Sequence, residues 1–166
     1  MSASRPRQTS DAGALRTRHT VETETTGRLH LDTQASITLP LPTHINYRAT
    51  DPYAVEAVFT QEDGDVTWTF SRELLADGMH ARAGTGDVAI WPGTGTGIKD
   101  DAQIFIELSP PSGTALVSLP RACVEEFLNQ TTSIVPAGAE HTYISPTLQE
   151  LERQLNQLAR HPGGCE

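Results

Sequence analysis

Residues 53–70 read YAVEAVFTQEDGDVTWTF, and their alternation decides the fold. Tyr53, Val55, Ala57 and Phe59 fall on one face of an extended chain, because successive side chains of a strand point to opposite sides. Val66, Trp68 and Phe70 do the same, with Thr67 and Thr69 opposite. Between them lies Gln61-Glu62-Asp63-Gly64-Asp65, a loop in which Gly64 is free to take a positive φ. Two alternating runs around a glycine turn predict an antiparallel hairpin. Ser71 follows as the N-cap of a short helix over Arg72–Ala76, which Gly78 is expected to close in the left-handed conformation.

The same period extends both ways. Upstream, Leu29 and Leu31 alternate with His30, and Ile37, Leu39 and Leu41 alternate with Thr38, Pro40 and Pro42. Proline donates no ladder hydrogen bond, so Ile37–Leu41 reads as an edge strand or an irregular extended segment. Downstream, Gly84 and Gly86 flank a turn before the strand Val88–Trp91. Ile104, Ile106 and Leu108 share a strand face, and Pro110-Pro111-Ser112-Gly113 turns the chain back into Thr114–Leu119. Pro120 suits the first position of a helix whose apolar stripe is Val124, Phe127 and Leu128. Pro136 and Gly138 break it. A last helix is expected from the N-cap Ser145 to the residues before Pro162. Its seam of Leu148, Leu151, Leu155 and Leu158 recurs at spacings of 3, 4 and 3. The expectation is that this seam packs on the chain's own sheet; the alternative is a helix–helix contact with another subunit or a partner. No βαβ alternation occurs. The class is therefore α+β, with a curved, mostly antiparallel sheet and helices packed on it.

Composition bounds the function. The 166 residues are 37% hydrophobic and 20% charged, enough for a core and suited to one domain. Twelve basic against 21 acidic residues give −9, which disfavours a phosphate-binding surface. Residues 1–18 differ: Arg5, Arg7, Arg16 and Arg18 face only Asp11, leaving 8 basic and 20 acidic residues elsewhere. These 18 residues lack a hydrophobic period and read as a disordered basic tail. An α+β domain over 19–144 and a leucine-seam helix over 145–161 complete the division. Cys123 and Cys165 form neither a disulfide framework nor a zinc ribbon, which points to a reduced, cytosolic protein. The N-terminus lacks the apolar region of a secretory signal, and no stretch reaches the length of a membrane helix.

Motifs of catalysis are not assembled. Gly93-Thr94-Gly95-Thr96-Gly97-Ile98-Lys99-Asp100 departs from a phosphate loop at Ile98 and Asp100. The histidines show no metal-ligand spacing. Asp51 with Glu56, and Asp63 with Asp65, fit solvated acids better than a carboxylate pair. Cys123 fits a small core residue, and Trp68 and Trp91 fit core better than a base-stacking pair.

A set of ordered segments says more. Tyr47-Arg48, Asp51-Pro52-Tyr53-Ala54-Val55, Trp68-Thr69-Phe70-Ser71-Arg72-Glu73-Leu74-Leu75-Ala76-Asp77-Gly78 and Gly84-Thr85-Gly86-Asp87-Val88-Ala89-Ile90-Trp91-Pro92 follow in turn. Leu108-Ser109-Pro110, Gly113, Ala115-Leu116, Phe127-Leu128 and Val135-Pro136-Ala137-Gly138-Ala139-Glu140 complete them. Over roughly residues 28 to 141 the chain resembles the SsgA-like proteins, sporulation and cell-division regulators of filamentous actinomycetes. It departs from their pattern at Ser71, Glu73, Ala89 and Pro111. The resemblance implies a curved, barrel-like β-sheet core wrapped by helices, similar to the whirly-type fold, a homotrimer, no catalysis and no cofactor. It also implies an adaptor in the cytoplasm at division septa, held there by a division protein such as FtsZ or a membrane-bound septal protein. The whirly likeness carries the alternative of a single-stranded nucleic-acid-binding protein, against which the acidic charge stands. The loop bearing Pro136, Gly138 and Glu140 lies between two helices and is the candidate partner-binding surface.

Overall fold

The computed structural model describes residues 19–32, 37–94 and 102–159. The basic tail, most of the glycine loop at 93–99, His161 and Cys165 lie outside them. Seven strands form one sheet: β1 (Thr20–Asp32), β2 (Ile37–Arg48), β3 (Asp51–Gln61), β4 (Gly64–Ser71), β5 (Val88–Pro92), β6 (Gln103–Leu108) and β7 (Ala115–Pro120). Their order is β4-β3-β2-β1-β7-β6-β5. Every pairing is antiparallel, so two meanders meet where β1 pairs with β7. The sheet curls into a half-barrel.

The expected hairpin is β3–β4. Gln61 pairs with Gly64 and leaves Glu62-Asp63 as a two-residue loop, with Gly64 at φ 127°. Val55, Ala57, Phe59 and Phe70 are buried, but Tyr53 and Val66 at the ends of the same face are exposed. Alternation names the face; burial also needs a neighbour above it. Upstream, β1 reaches back to Thr20, well before Leu29. In the run Thr20–Arg28 only Val21 and Gly27 are buried, and the remaining polar residues leave no apolar period to read. β2 is an inner strand by order, yet residues 37–42 pair only with β1, because β3 pairs from Thr43 onward. Pro40 and Pro42 thus occupy the one stretch of β2 that needs no donor on its outer side, so the edge expectation holds locally.

Among the described residues three helices accompany the sheet: α1 (Arg72–Gly78), α2 (Arg121–Ile134) and α3 (Glu140–Ala159). The Ser71 cap of α1 forms as expected, its hydroxyl accepting from Leu74 N–H at 2.9 Å. Gly78 does not close α1 in the left-handed region; the C-cap is Met79 in a right-handed conformation. A Cβ on Gly78 would lie 2.4 Å from Ile90 Cγ2, so this glycine permits close approach of α1 to β5. Pro120 is the last residue of β7 and the N-cap of α2, one position before the expected one. Val124, Phe127 and Thr131 are the buried stripe of α2, which packs on β1, β6 and β7. The last helix starts at Glu140 and not at Ser145, and continues through Pro146. Bonds from Ala139 N–H to the Pro136 carbonyl and from Thr142 N–H to the Ala139 carbonyl wind the chain before Ser145 is reached. The leucine seam does not pack on the sheet: Leu148, Leu151 and Leu155 are 51%, 50% and 55% exposed. Leu158 lies outside the residues whose side chains are described.

A candidate partner-binding cleft

Arg72 organises the site. It follows the Ser71 cap, and it shares the buried face of α1 with Leu75 and Gly78. A cation in that position needs partners, since an unpaired buried charge is costly. Its Nη1 donates to the carbonyls of Val135 (2.7 Å) and Thr131 (3.4 Å), at the C-terminal end of α2. The Thr131 carbonyl also accepts from the Val135 N–H at 2.9 Å, whereas the Val135 carbonyl lies just past the helix end, and both stand at the negative pole of the helix dipole. α2 has no basic residue in its own last turn, so Arg72 supplies that charge from α1. Nη2 donates to Glu140 Oε1 at the first turn of α3, a charge-assisted bond. The guanidinium also lies 5.2 Å from the ring centroid of Tyr47, a cation–π contact. One side chain thereby ties α1, α2, α3 and β2 together.

The titrations follow the geometry. The backbone N–H of Glu140, and then the Arg72 guanidinium, hold the Glu140 carboxyl below the usual carboxylate range, against the opposing effect of burial. Burial pushes the Tyr47 phenol up to about 12, with Arg72 pulling the other way. The phenol O–H donates to the Pro52 carbonyl at 3.2 Å.

Beside this clamp opens a cleft of about 370 Å³. Ala76 of α1, Leu128 of α2, Ala137 and the half-exposed Tyr53 give it an apolar lining; Glu73 and Asp77 stand exposed at its rim. Of the three loop residues singled out from sequence, Gly138 and Glu140 line the cleft and Pro136 sits exposed just outside it. Gly138 has φ +83° and open space where a Cβ would stand. Glu140 is largely held by Arg72, a role that sequence reasoning missed. The signal was available, since Arg72 falls at the i, i+3 spacing with Leu75 on the one face that a short amphipathic helix must bury.

The other candidates disperse. Glu56 accepts from Asn46 at 3.3 Å and lies 4.0 Å from Arg48. Cys123 is half-buried in the first turn of α2. Trp91 is engaged by Phe105 (centroids 6.1 Å apart) and by the Arg82 guanidinium (4.2 Å), while Trp68 packs partly buried against the core, so the two do not form a stacking surface. Among the described residues no cluster of His, Cys, Asp or Glu could hold a metal ion, and no helix is long and apolar enough to cross a membrane.

Residues 41–140 match the family described as "Streptomyces sporulation and cell division protein, SsgA". The sporulation-specific cell division protein SsgB of Streptomyces coelicolor is 39% identical over 140 residues, 84% of this chain and 95% of that protein. The SsgB of Kineococcus radiotolerans is 37% identical over 145 residues, 87% of this chain and 86% of that protein. Two solved structures share the architecture. One is an SsgB described through mutations that correlate with longitudinal cell division during sporulation of Streptomyces coelicolor (TM-score 0.67, 40% identity, covering 75% of this chain and 94% of that one). The other is an SsgA-like sporulation-specific cell division protein from Thermobifida fusca (TM-score 0.72, 33% identity, covering 82% and 97%). The curled antiparallel sheet, the ordered segments that build the cleft and these identities agree, and the chain belongs to the SsgA family of sporulation and cell-division proteins.

Proposed function

We propose that the chain is a non-enzymatic adaptor of the sporulation septum, acting in the cytoplasm where partners hold it. It binds a division-machinery protein, such as FtsZ or a membrane-bound septal protein, and so positions or activates septum and cell-wall machinery. The observation that carries this reading is the cleft beside Arg72. It is an apolar recess with an exposed Gly138 at its mouth, in a frame fixed by the ion pair of the buried Arg72 with the partly buried Glu140. A frame already ordered loses little freedom on binding, which favours affinity for a protein segment.

The adaptor works as a homo-oligomer, a trimer, assembled through α3. Leu148, Leu151 and Leu155 are exposed at the 3- and 4-residue spacing of a helix–helix seam. Leu151→Glu is expected to lower the mass measured by light scattering without changing the circular dichroism of the fold. A monomer mass for the parent chain throughout the micromolar range overturns the oligomer.

Gly138→Arg tests the cleft. A side chain at Gly138 meets open space, and its positive φ costs roughly 1–2 kcal/mol, so the variant should fold and assemble. Its binding to purified FtsZ, and separately to septal membrane proteins, should fall at least tenfold. Undiminished binding to all of them places the interface elsewhere.

A further inference from the structure

We propose that the chain's own N-terminal segment docks in the cleft, with Leu15 over the Tyr53–Leu128 lining and its arginines beside Glu73 and Asp77. Segment and partner would then compete for one surface. Residues 1–18 lie outside the described residues, and three observations at the cleft point to them.

The first is where the chain enters the sheet. The His19 carbonyl accepts from Ala49 N–H at 2.7 Å. Two residues on, Val21 pairs with Tyr47, Tyr47 with Val55, and Val55 with Phe70. That row ends beside Ser71 and Arg72, the wall of the cleft, and Tyr47 lies under the Arg72 guanidinium. Leu15 is four positions before His19, a reach of about 13 Å at about 3.3 Å per residue.

The second is charge. Glu73 and Asp77 are exposed at the rim, and Asp51 at the same end is near enough to act on Tyr47. Among the described residues none of the three has a basic partner within ion-pair distance. Among the described residues that line the cleft Arg72 is the one cation, and it is turned inward to Glu140 and the α2 carbonyls. The segment carries Arg5, Arg7, Arg16 and Arg18 against Asp11 alone, the opposite sign to the rim. At physiological salt such attraction acts over about 8 Å, so it holds a segment that the chain has already brought beside the rim.

The third is shape. Ala76, Ala137, Leu128 and the half-exposed Tyr53 make a recess suited to one apolar side chain. In the sequence Ala14-Leu15-Arg16-Thr17-Arg18 the single large apolar residue stands beside two cations. An apolar anchor flanked by opposite charge is the arrangement that gives a short segment both affinity and register.

This inference shares the cleft with the partner reading but its test involves no partner, so either can fail alone. The full-length chain carries a nitroxide at Ala12→Cys, in a Cys123→Ser, Cys165→Ser background, and amide signals are recorded with the label oxidised and reduced. The expected result is loss of the Ala137 and Gly138 signals in the oxidised state, with Glu62 and Asp63 at the far hairpin turn unaffected. Glu73→Arg with Asp77→Arg should restore the lost signals, as should salt near 1 M, where the Debye length is about 3 Å. Loss confined to the residues following His19, or loss unchanged in the charge-reversed variant, overturns the proposal. So does loss that appears only between chains when a spin-labelled chain is mixed with an isotope-labelled one, since that assigns the contact to a second copy.

Discussion

α2 and α3 are both amphipathic, and they meet opposite fates. α2 carries a sparse apolar stripe, Val124 and Phe127 with Thr131, and all three residues are buried against the sheet. α3 carries the denser and more regular seam, and Leu148, Leu151 and Leu155 face solvent. Periodicity states that a face wants covering; it does not state what covers it. The sheet already covers α2, because β7 leads directly into it. α3 departs from the Pro136–Ala139 turn and is held to the body at its first turn by Glu140 and by Tyr143, whose O–H donates to the Ile134 carbonyl at 3.0 Å.

The contrast can be broken by mutation, starting from the largest effect. Phe127→Ala should destabilise by roughly 3–5 kcal/mol, as for other large-to-small changes at a fully buried site, and chemical denaturation measures it. A loss below about 1 kcal/mol would mean that α2 is no better packed than α3. Next comes Arg72→Ala, which leaves the partly buried Glu140 carboxylate and the Val135 carbonyl without their donor at a cost of about 1–3 kcal/mol. If the clamp is what anchors α3, proteolysis of this variant should cut first within α3 and leave the sheet intact.

The clamp also sets a pH dependence. The folded-state pKa of Glu140 lies below its ordinary value of 4.5, so its contribution to stability is complete above about 4.5 and is lost as pH falls through the folded value. Acid titration of Glu140→Gln should accordingly show a shallower loss of stability than the parent chain. Tyr47 acts at the other end of the scale. Its pKa is raised from 10.0 to about 12, so it contributes stability below pH 10.0 that is lost as pH rises towards about 12. Tyr47→Phe should flatten that alkaline loss, followed by tyrosinate absorbance alongside the unfolding signal.

Trp68→Ala sharpens the comparison within the sheet. From alternation alone Trp68 looks like a core residue worth a large loss. It is only partly buried, next to the exposed Val66, so about 1–2 kcal/mol is expected in the melting transition. Smallest of all is Leu151→Ala. In the isolated fold it should cost less than about 0.5 kcal/mol, as for a surface site, and any larger loss that grows with protein concentration would expose a contact between chains.

The legible parts of this molecule were those governed by neighbours in sequence. The β3–β4 hairpin, the Ser71 cap and the alternation of Ile104, Ile106 and Leu108 all depend on local chemistry and all form, the hairpin with its loop tightened from the expected residues 61–65 to Glu62-Asp63. Thr20–Arg28 was not legible, because a strand of threonines and acids becomes a strand only when β2 lies beside it. Gly78 was misread for a related reason: its constraint is Ile90, a residue of another element. At the candidate site, the loop carrying Gly138 was evident from Pro136 and Gly138 themselves. The Arg72 clamp was not, since its partners lie up to 68 positions away in the chain.

The junction of β1 with β7 has a kinetic consequence. It joins the two meanders through the pairs Arg28↔Ser118, Leu29↔Val117 and His30↔Leu116, and His30 bonds Ser118 across 88 positions of sequence. Each meander can zip from its own turns, whereas this seam must await closure of a long chain loop. The first strand and the last must therefore find each other late. The amides along this narrow seam should be the first in the sheet to exchange with solvent when the two halves breathe apart.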